Sequence, residues 1–109
     1  VDLAGKLNLE WRAGRRVSSV GGAPDYLRAA AASAGGRAII ALQAASGSGG
    51  SRIVPRLNAP SISGELADIV VTERGVARIK GLSGDDRAKA LIAIAAPEHR
   101  AFLENVRRS

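Results

Sequence analysis

Between Arg37 and Gln43 runs Ala38-Ile39-Ile40-Ala41-Leu42, an unbroken apolar stretch of strand length. A strand with one wet face alternates apolar and polar residues. One that does not alternate suits burial on both faces, as in a parallel sheet covered by helices. Asp68-Ile69-Val70-Val71-Thr72 is a second stretch of this kind. Gly75 then marks a turn and Val76–Ile79 a short strand after it. Leu3, Leu7 and Leu9 give a weaker strand or hairpin signal ending near Trp11, and Arg16–Val20 a short strand signal that stops at Gly21-Gly22. Arg52–Leu57 reads as an edge strand, because Pro55 has no N–H to give to a ladder.

Helices fall between and after the strands. Pro24 stands where a first helical turn accepts proline, with Asp25 beside it at the positive end of the dipole. Tyr26, Leu27, Ala30, Ala31 and Ala34 follow at helical spacing, and Gly35-Gly36 ends the helix. Ser83 with Asp86 three residues on makes a capping box, Ala88, Leu91, Ile92 and Ala95 the apolar face behind it. Pro97 opens a last helix whose Phe102, Leu103 and Val106 can pack back. The Ser/Gly-rich stretch Ala45–Ser51 is a flexible loop by composition. The expectation is one α/β domain over residues 1–109, a parallel-rich sheet flanked by helices.

Composition narrows the chemistry. Trp11, Tyr26 and Phe102 are the only aromatics, so the core is built from Ala, Val, Ile and Leu. With no cysteine and one histidine, His99, the chain excludes disulfides, thiol catalysis and Cys/His zinc sites, and no metal is expected. The net charge of +6 is concentrated in residues 37–60, where Arg37, Arg52 and Arg56 meet no acid. Nucleic-acid binders interleave basic residues with stacking aromatics, which this chain does not, so nucleic acid is not the expected partner. No apolar run approaches a membrane span and no secretory signal is visible, which points to a cytoplasmic protein away from membranes. A chain that opens in a strand without Met also reads as a piece of something longer.

The passage from Arg16–Val20 through Gly21-Gly22 into the helix at Pro24 is the feature with most chemical promise. Glycines let backbone N–H groups approach a ligand with no Cβ in the way, and the helix start adds partial positive charge. Such a turn suits a phosphate, a carboxylate or the oxyanion of acyl transfer, though the same two glycines can serve only to turn the chain. Gly47–Arg52 has neither P-loop spacing nor G-x-G-x-x-G. Glu73 follows a buried-type strand, where it is either a cleft carboxylate or a strand-end surface acid. Asp85-Asp86 reads as a helix-start charge pair and His99 as a surface residue beside Glu98 and Arg100.

Val17-Ser18-Ser19-Val20-Gly21-Gly22-Ala23-Pro24-Asp25-Tyr26-Leu27-Arg28 resembles the S-G-x-G-G-Q-x-D-F-x-R-G signature of the acetyl-CoA hydrolase/transferase family, which includes acetate and 4-hydroxybutyrate CoA-transferases. Gly35–Leu42, Ser51–Pro55, Val71–Gly81 and Arg87–Ala95 with Pro97 are similar to further stretches of that family, in the same order. Ser19, Ala23, Ala29, Arg74 and Ala96 depart from the pattern. The resemblance implies the C-terminal segment of a larger, NagB/RpiA/CoA-transferase-like enzyme that moves CoA between an acyl-CoA and a short carboxylic acid. It implies a glutamyl-CoA thioester whose glutamate lies upstream of the glycine turn, outside this chain. Glu10 is too close to the turn for that role, and Glu73 belongs to another motif. By the same likeness Gly21 and Gly22 form the loop facing the thioester, Val20, Gly21 and Gly22 line the CoA site, and Arg52 and Lys80 meet CoA phosphates on charge and position. Coenzyme A is the expected cofactor, and the rest of the enzyme and further copies in a homo-oligomer the expected protein partners. The alternative is a non-catalytic module that binds CoA or nucleic acid.

Overall fold

The computed structural model describes residues 1–12, 15–16, 19, 21–58 and 60–109. Its central sheet has the order β3-β4-β5, from Ile39–Ala41 (β3), Ile69–Thr72 (β4) and Gly75–Arg78 (β5). β3 pairs parallel with β4 and β4 antiparallel with β5, so the sheet is mixed. A small antiparallel ribbon of β1 (Trp11–Arg12) and β2 (Arg15–Arg16) precedes it. Three helices complete the described elements: α1 (Ala23–Ala32), α2 (Gly84–Ala93) and α3 (Pro97–Arg108). The α/β architecture expected from the sequence is the one observed.

Alternation decides which way the sheet faces. Ile40, Val70 and Ala77 are partners across the three strands and point to one side. On that side Val70 and Ala77 join Ile53, Ile79, Leu91, Ile92, Ala95 and Leu103 in the main core, which α2 and α3 close. A smaller cluster of Leu7, Leu27, Ala38 and Ile62 holds α1, with Ile40 packed against both. The other side of β3 is not covered: Ile39 is 59% exposed and Ala41 is exposed too. Burial of Ala38–Leu42 on both faces is therefore corrected to burial on one.

Buried carboxylates do much of the joining. Asp68 Oδ2 accepts the Ala38 N–H at 2.8 Å, its backbone N–H reaches the Ala38 carbonyl, and its own carbonyl accepts from Ile79. One residue thus ties the start of β3 to the chain leaving β5. Replacing Asp68 by Ala strands the buried Ala38 donor, so we expect a loss of about 2 kcal/mol in unfolding free energy, read by urea denaturation at unchanged m. Asp2 Oδ1 accepts from Ala4 and Lys6 and its Oδ2 from Leu57. This curls residues 2–6 into a turn, and the strand expected through Leu3 and Leu7 is reduced to single bridges, Asp2 with Val54 and Leu7 with Ile62. Arg52–Leu57 likewise contributes only the Val54 bridge, since Pro55 ends donation one residue later. The strand expected at Arg16–Val20 is observed only as Arg15–Arg16; Val17, Ser18 and Val20 lie outside the described residues.

The helix starts follow their signals, whereas α1 ends at Ala32 with Ser33 as its C-cap, short of the Ala34 and Gly35-Gly36 expected to finish it. Ser83 Oγ accepts from the Asp86 N–H at the start of α2, and Pro97 stands in the first turn of α3. Leu103 is fully buried, Val106 half-buried and Phe102 61% exposed, so Phe102 does not pack back as expected. Arg107 clamps the two helices together by bonding Asp85 at 2.6 Å and Glu104 beside it, and its guanidinium holds both carboxyls below their ordinary range. Residues 45–51 form a closed turn rather than an open loop: Ala45 bridges Ser51, and Ser46 and Gly50 are hydrogen-bonded.

Candidate functional site

The glycine turn meets the first requirement placed on it. Gly21 has φ +57°, the left-handed region that glycine enters without penalty, and it swings the chain into α1. Gly22 is the N-cap residue at φ −85° and ψ 2°, and no side chain caps the helix. Its carbonyl accepts the Tyr26 N–H as the first helical bond. Among the described residues the N–H groups of Gly21 and Gly22 have no hydrogen-bond partner, and both residues are exposed. Open donors at the positive end of a helix dipole favour negative charge.

Arg52 stands apart from this turn, on the wall of a cavity of about 390 Å³ formed by Val1, residues 7–9, residues 40–42, and Ser51, Arg52, Val54 and Leu57. Its backbone is fixed by Arg52 N–H to Ala44 O and by the Val1 nitrogen donating to Arg52 O. Among the described residues its guanidinium has no carboxylate partner. The glycine turn is not on this wall, but Ala23 of α1 packs against the cluster containing Leu7 and Ile40, which do line it. Lys80 lies on neither this cavity nor a second one between the N-terminal turn, α2 and α3. Its Nζ is 3.7 Å from Asp68 Oδ1, so its charge first compensates a buried carboxylate. Val20 lies outside the described residues.

Two residues have roles that the sequence reading did not find. Glu73 Oε1 accepts the Ala44 N–H at 2.8 Å, which ties the tip of the β4–β5 hairpin to the chain leaving β3. His99 Nε2 is 2.8 Å from the Gly49 carbonyl, fastening the Ser/Gly turn to α3. Neither partner is foreseeable from spacing, because both contacts span long sequence separations. Asp85 pairs with Lys89 and Arg107, as a helix-start charge should. No group of His, Cys, Asp and Glu able to hold a metal occurs among the described residues.

The family model described as "Acetyl-CoA hydrolase/transferase C-terminal domain" matches residues 1–106. The chain belongs to this family. The 4-hydroxybutyrate coenzyme A transferase of Clostridium kluyveri is 45% identical over 109 residues, with 96% of this chain and 25% of the relative aligned. The butyryl-CoA:acetate CoA-transferase of Anaerostipes caccae is 38% identical over 110 residues, covering 94% and 25%. The chain thus spans about a quarter of the length of these curated relatives. The crystal structure of RipA from Yersinia pestis superimposes with a TM-score of 0.90 at 38% identity, over 99% of this chain and 25% of that one. A 4-hydroxybutyrate CoA-transferase from Porphyromonas gingivalis superimposes with a TM-score of 0.74 at 39% identity, over 96% and 23%. The acetyl-CoA hydrolase/transferase resemblance and its α/β fold are therefore confirmed along nearly the whole chain. No helix among the described residues is long and apolar enough to cross a membrane.

Proposed function

We propose that this chain is the C-terminal segment of a cytoplasmic enzyme that moves CoA between an acyl-CoA and a short carboxylic acid. The observation that carries the reading is the start of α1, which no side chain caps and where the N–H groups of the exposed Gly21 and Gly22 have no partner among the described residues, in a chain of this family. Attack on a thioester puts negative charge on its carbonyl oxygen. Preset backbone donors stabilise that charge without having to reorganise. Gly21 and Gly22 supply these donors. Arg52, on its cavity wall and without a carboxylate partner among the described residues, takes a phosphate of CoA, for which a planar fork of donors is suited. Val20 continues the CoA-binding loop, and Lys80 adds a second, shared cation. The nucleophilic glutamate comes from the remainder of a family-length chain, and the glutamyl-CoA thioester forms there.

The test separates the segment from the whole. A family-length chain carrying this segment should exchange CoA between butyryl-CoA and acetate, followed by chromatography of the acyl-CoA products. The segment alone should turn over neither these substrates nor acetyl-CoA with water. Turnover by the segment would place the nucleophile inside it and overturn these roles.

A further inference from the structure

We infer that the cavity between the N-terminal turn, Pro55-Arg56, the start of α2 and the end of α3 binds a small organic phosphate. The cavity holds about 480 Å³, within the range of small-molecule sites, and shares no lining residue with the cavity of Arg52. Its cationic side is assembled by Asp2. That buried carboxylate takes the Lys6 N–H on Oδ1 and the Leu57 N–H on Oδ2. One group therefore fixes the backbone at Lys6 and immediately after Arg56. Two segments far apart in sequence are brought to one cavity, each with a cation.

The acids beside these cations are already engaged. Both oxygens of Asp2 accept backbone N–H groups, and Asp85 pairs with Arg107 at 2.6 Å and with Lys89 at 3.3 Å. Arg107 is in turn shared with Glu104. Lys6 and Arg56 are exposed, and among the described residues their side chains have no ion pair or hydrogen bond. Gly84 and Asp85 open α2 at the same cavity, and their N–H groups have no partner there, since the Ser83 cap reaches Asp86. The cavity thus offers donors and positive charge with nothing to meet them. A carboxylate would bring one charge; a phosphate group brings roughly two, with three acceptor oxygens, which matches two cations and a pair of amides. Leu3, Ala88 and Val106 form an apolar part of the wall, which favours a phosphate carrying an organic body over the bare ion.

Phenyl phosphate is the probe, and a family-length chain carrying this segment the protein. Acetic anhydride labels Lys6, read by peptide mass spectrometry with exposed Lys89 of α2 as reference. At ten times its dissociation constant, phenyl phosphate should slow labelling of Lys6 about 10-fold and leave Lys89 unchanged. An unchanged Lys6 rate would overturn the inference. A Lys6 inert without any ligand would show the cavity filled by the rest of the polypeptide, and overturns it as well. Calorimetry supplies a second readout. Lys6→Ala and Arg56→Ala should each weaken phenyl phosphate at least about 10-fold, the scale of one charge-assisted hydrogen bond. Benzoate and inorganic phosphate should both bind more weakly than phenyl phosphate, the first for want of charge and the second for want of a body. Both variants should keep the melting temperature and the KM for butyryl-CoA of the parent. Affinity indifferent to both substitutions counts against the site. A KM for butyryl-CoA that rises as phenyl phosphate affinity falls would give these cations to CoA instead, and likewise overturns it.

Discussion

Gly22→Val in a family-length enzyme carrying this segment should lower the rate of CoA transfer by roughly 10²-fold, the loss associated with one oxyanion donor. The segment's stability should change by no more than about 1 kcal/mol, the scale of a poorer N-cap. The two effects separate because of local geometry. At φ −85° and ψ 2° Gly22 lies in the bridge region, sparsely populated but accessible to L residues, so a side chain there costs less backbone strain than at a positive φ. A Cβ would meet only the Tyr26 ring, at 3.3 and 3.5 Å, and that ring is 80% exposed and free to turn aside. What valine does change is access: its branches stand over the amides that point out of the helix start. Gly22→Ala should fall between, with a smaller loss of rate. Steady-state kinetics beside a thermal melt of each variant reads both quantities. Full activity in Gly22→Val would remove the glycine turn from the reaction and leave it a structural corner. Gly21 makes a poorer probe, because at φ +57° any side chain adds backbone strain of about 1–2 kcal/mol to whatever it does to the site.

How far the sequence can be read depends on how local each cause is. Ser83 and Asp86, Pro24 and Pro97 act within a turn of themselves, and the helices they signal are present with those caps and starts. Ile69–Thr72 and Gly75–Arg78 are joined by a two-residue turn, so their pairing is also a short-range affair. The misreadings share the opposite property. Leu3, Leu7 and Leu9 alternate like a strand, but Asp2 gathers three N–H groups from Ala4, Lys6 and Leu57, and a buried carboxylate satisfied in this way fixes a turn instead. Ala38–Leu42 is apolar on both faces, as a strand buried on both sides would be, yet one face is bare in this chain. The glycine turn was legible as a candidate site from its residues, while the free state of Arg52 and the engagement of Lys80 with Asp68 depend on contacts that no spacing reveals.

Gly64→Ala should be the most damaging single-methyl change in the segment, costing about 3 kcal/mol, at the upper end of what overpacking usually costs. Gly64 is buried where residues 4–5 cross residues 63–65, and a Cβ built on it would sit 2.1 Å from the Ala4 carbonyl oxygen and 3.1 Å from its carbon. Both atoms are backbone, so no rotamer change relieves the contact; one strand of chain has to move. Movement is opposed from two sides. Arg87 Nη1 donates to the Ala4 carbonyl at 3.0 Å and to the Gly64 carbonyl at 3.2 Å, clasping both crossing segments to α2. Behind Ala4, Asp2 Oδ1 holds the Ala4 N–H, and Gly5 lies against the fully buried Ile79. Shifting residues 4–5 outward therefore breaks the Arg87 clasp, loosens a buried carboxylate and opens the core beside Ile79 together. Urea denaturation should show the midpoint falling by more than in Asp68→Ala. Arg87→Ala combined with Gly64→Ala should cost less than the sum of the two, because the first releases the strand that the second needs to displace. A Gly64→Ala variant as stable as the parent would show that the crossing is not held closed in solution.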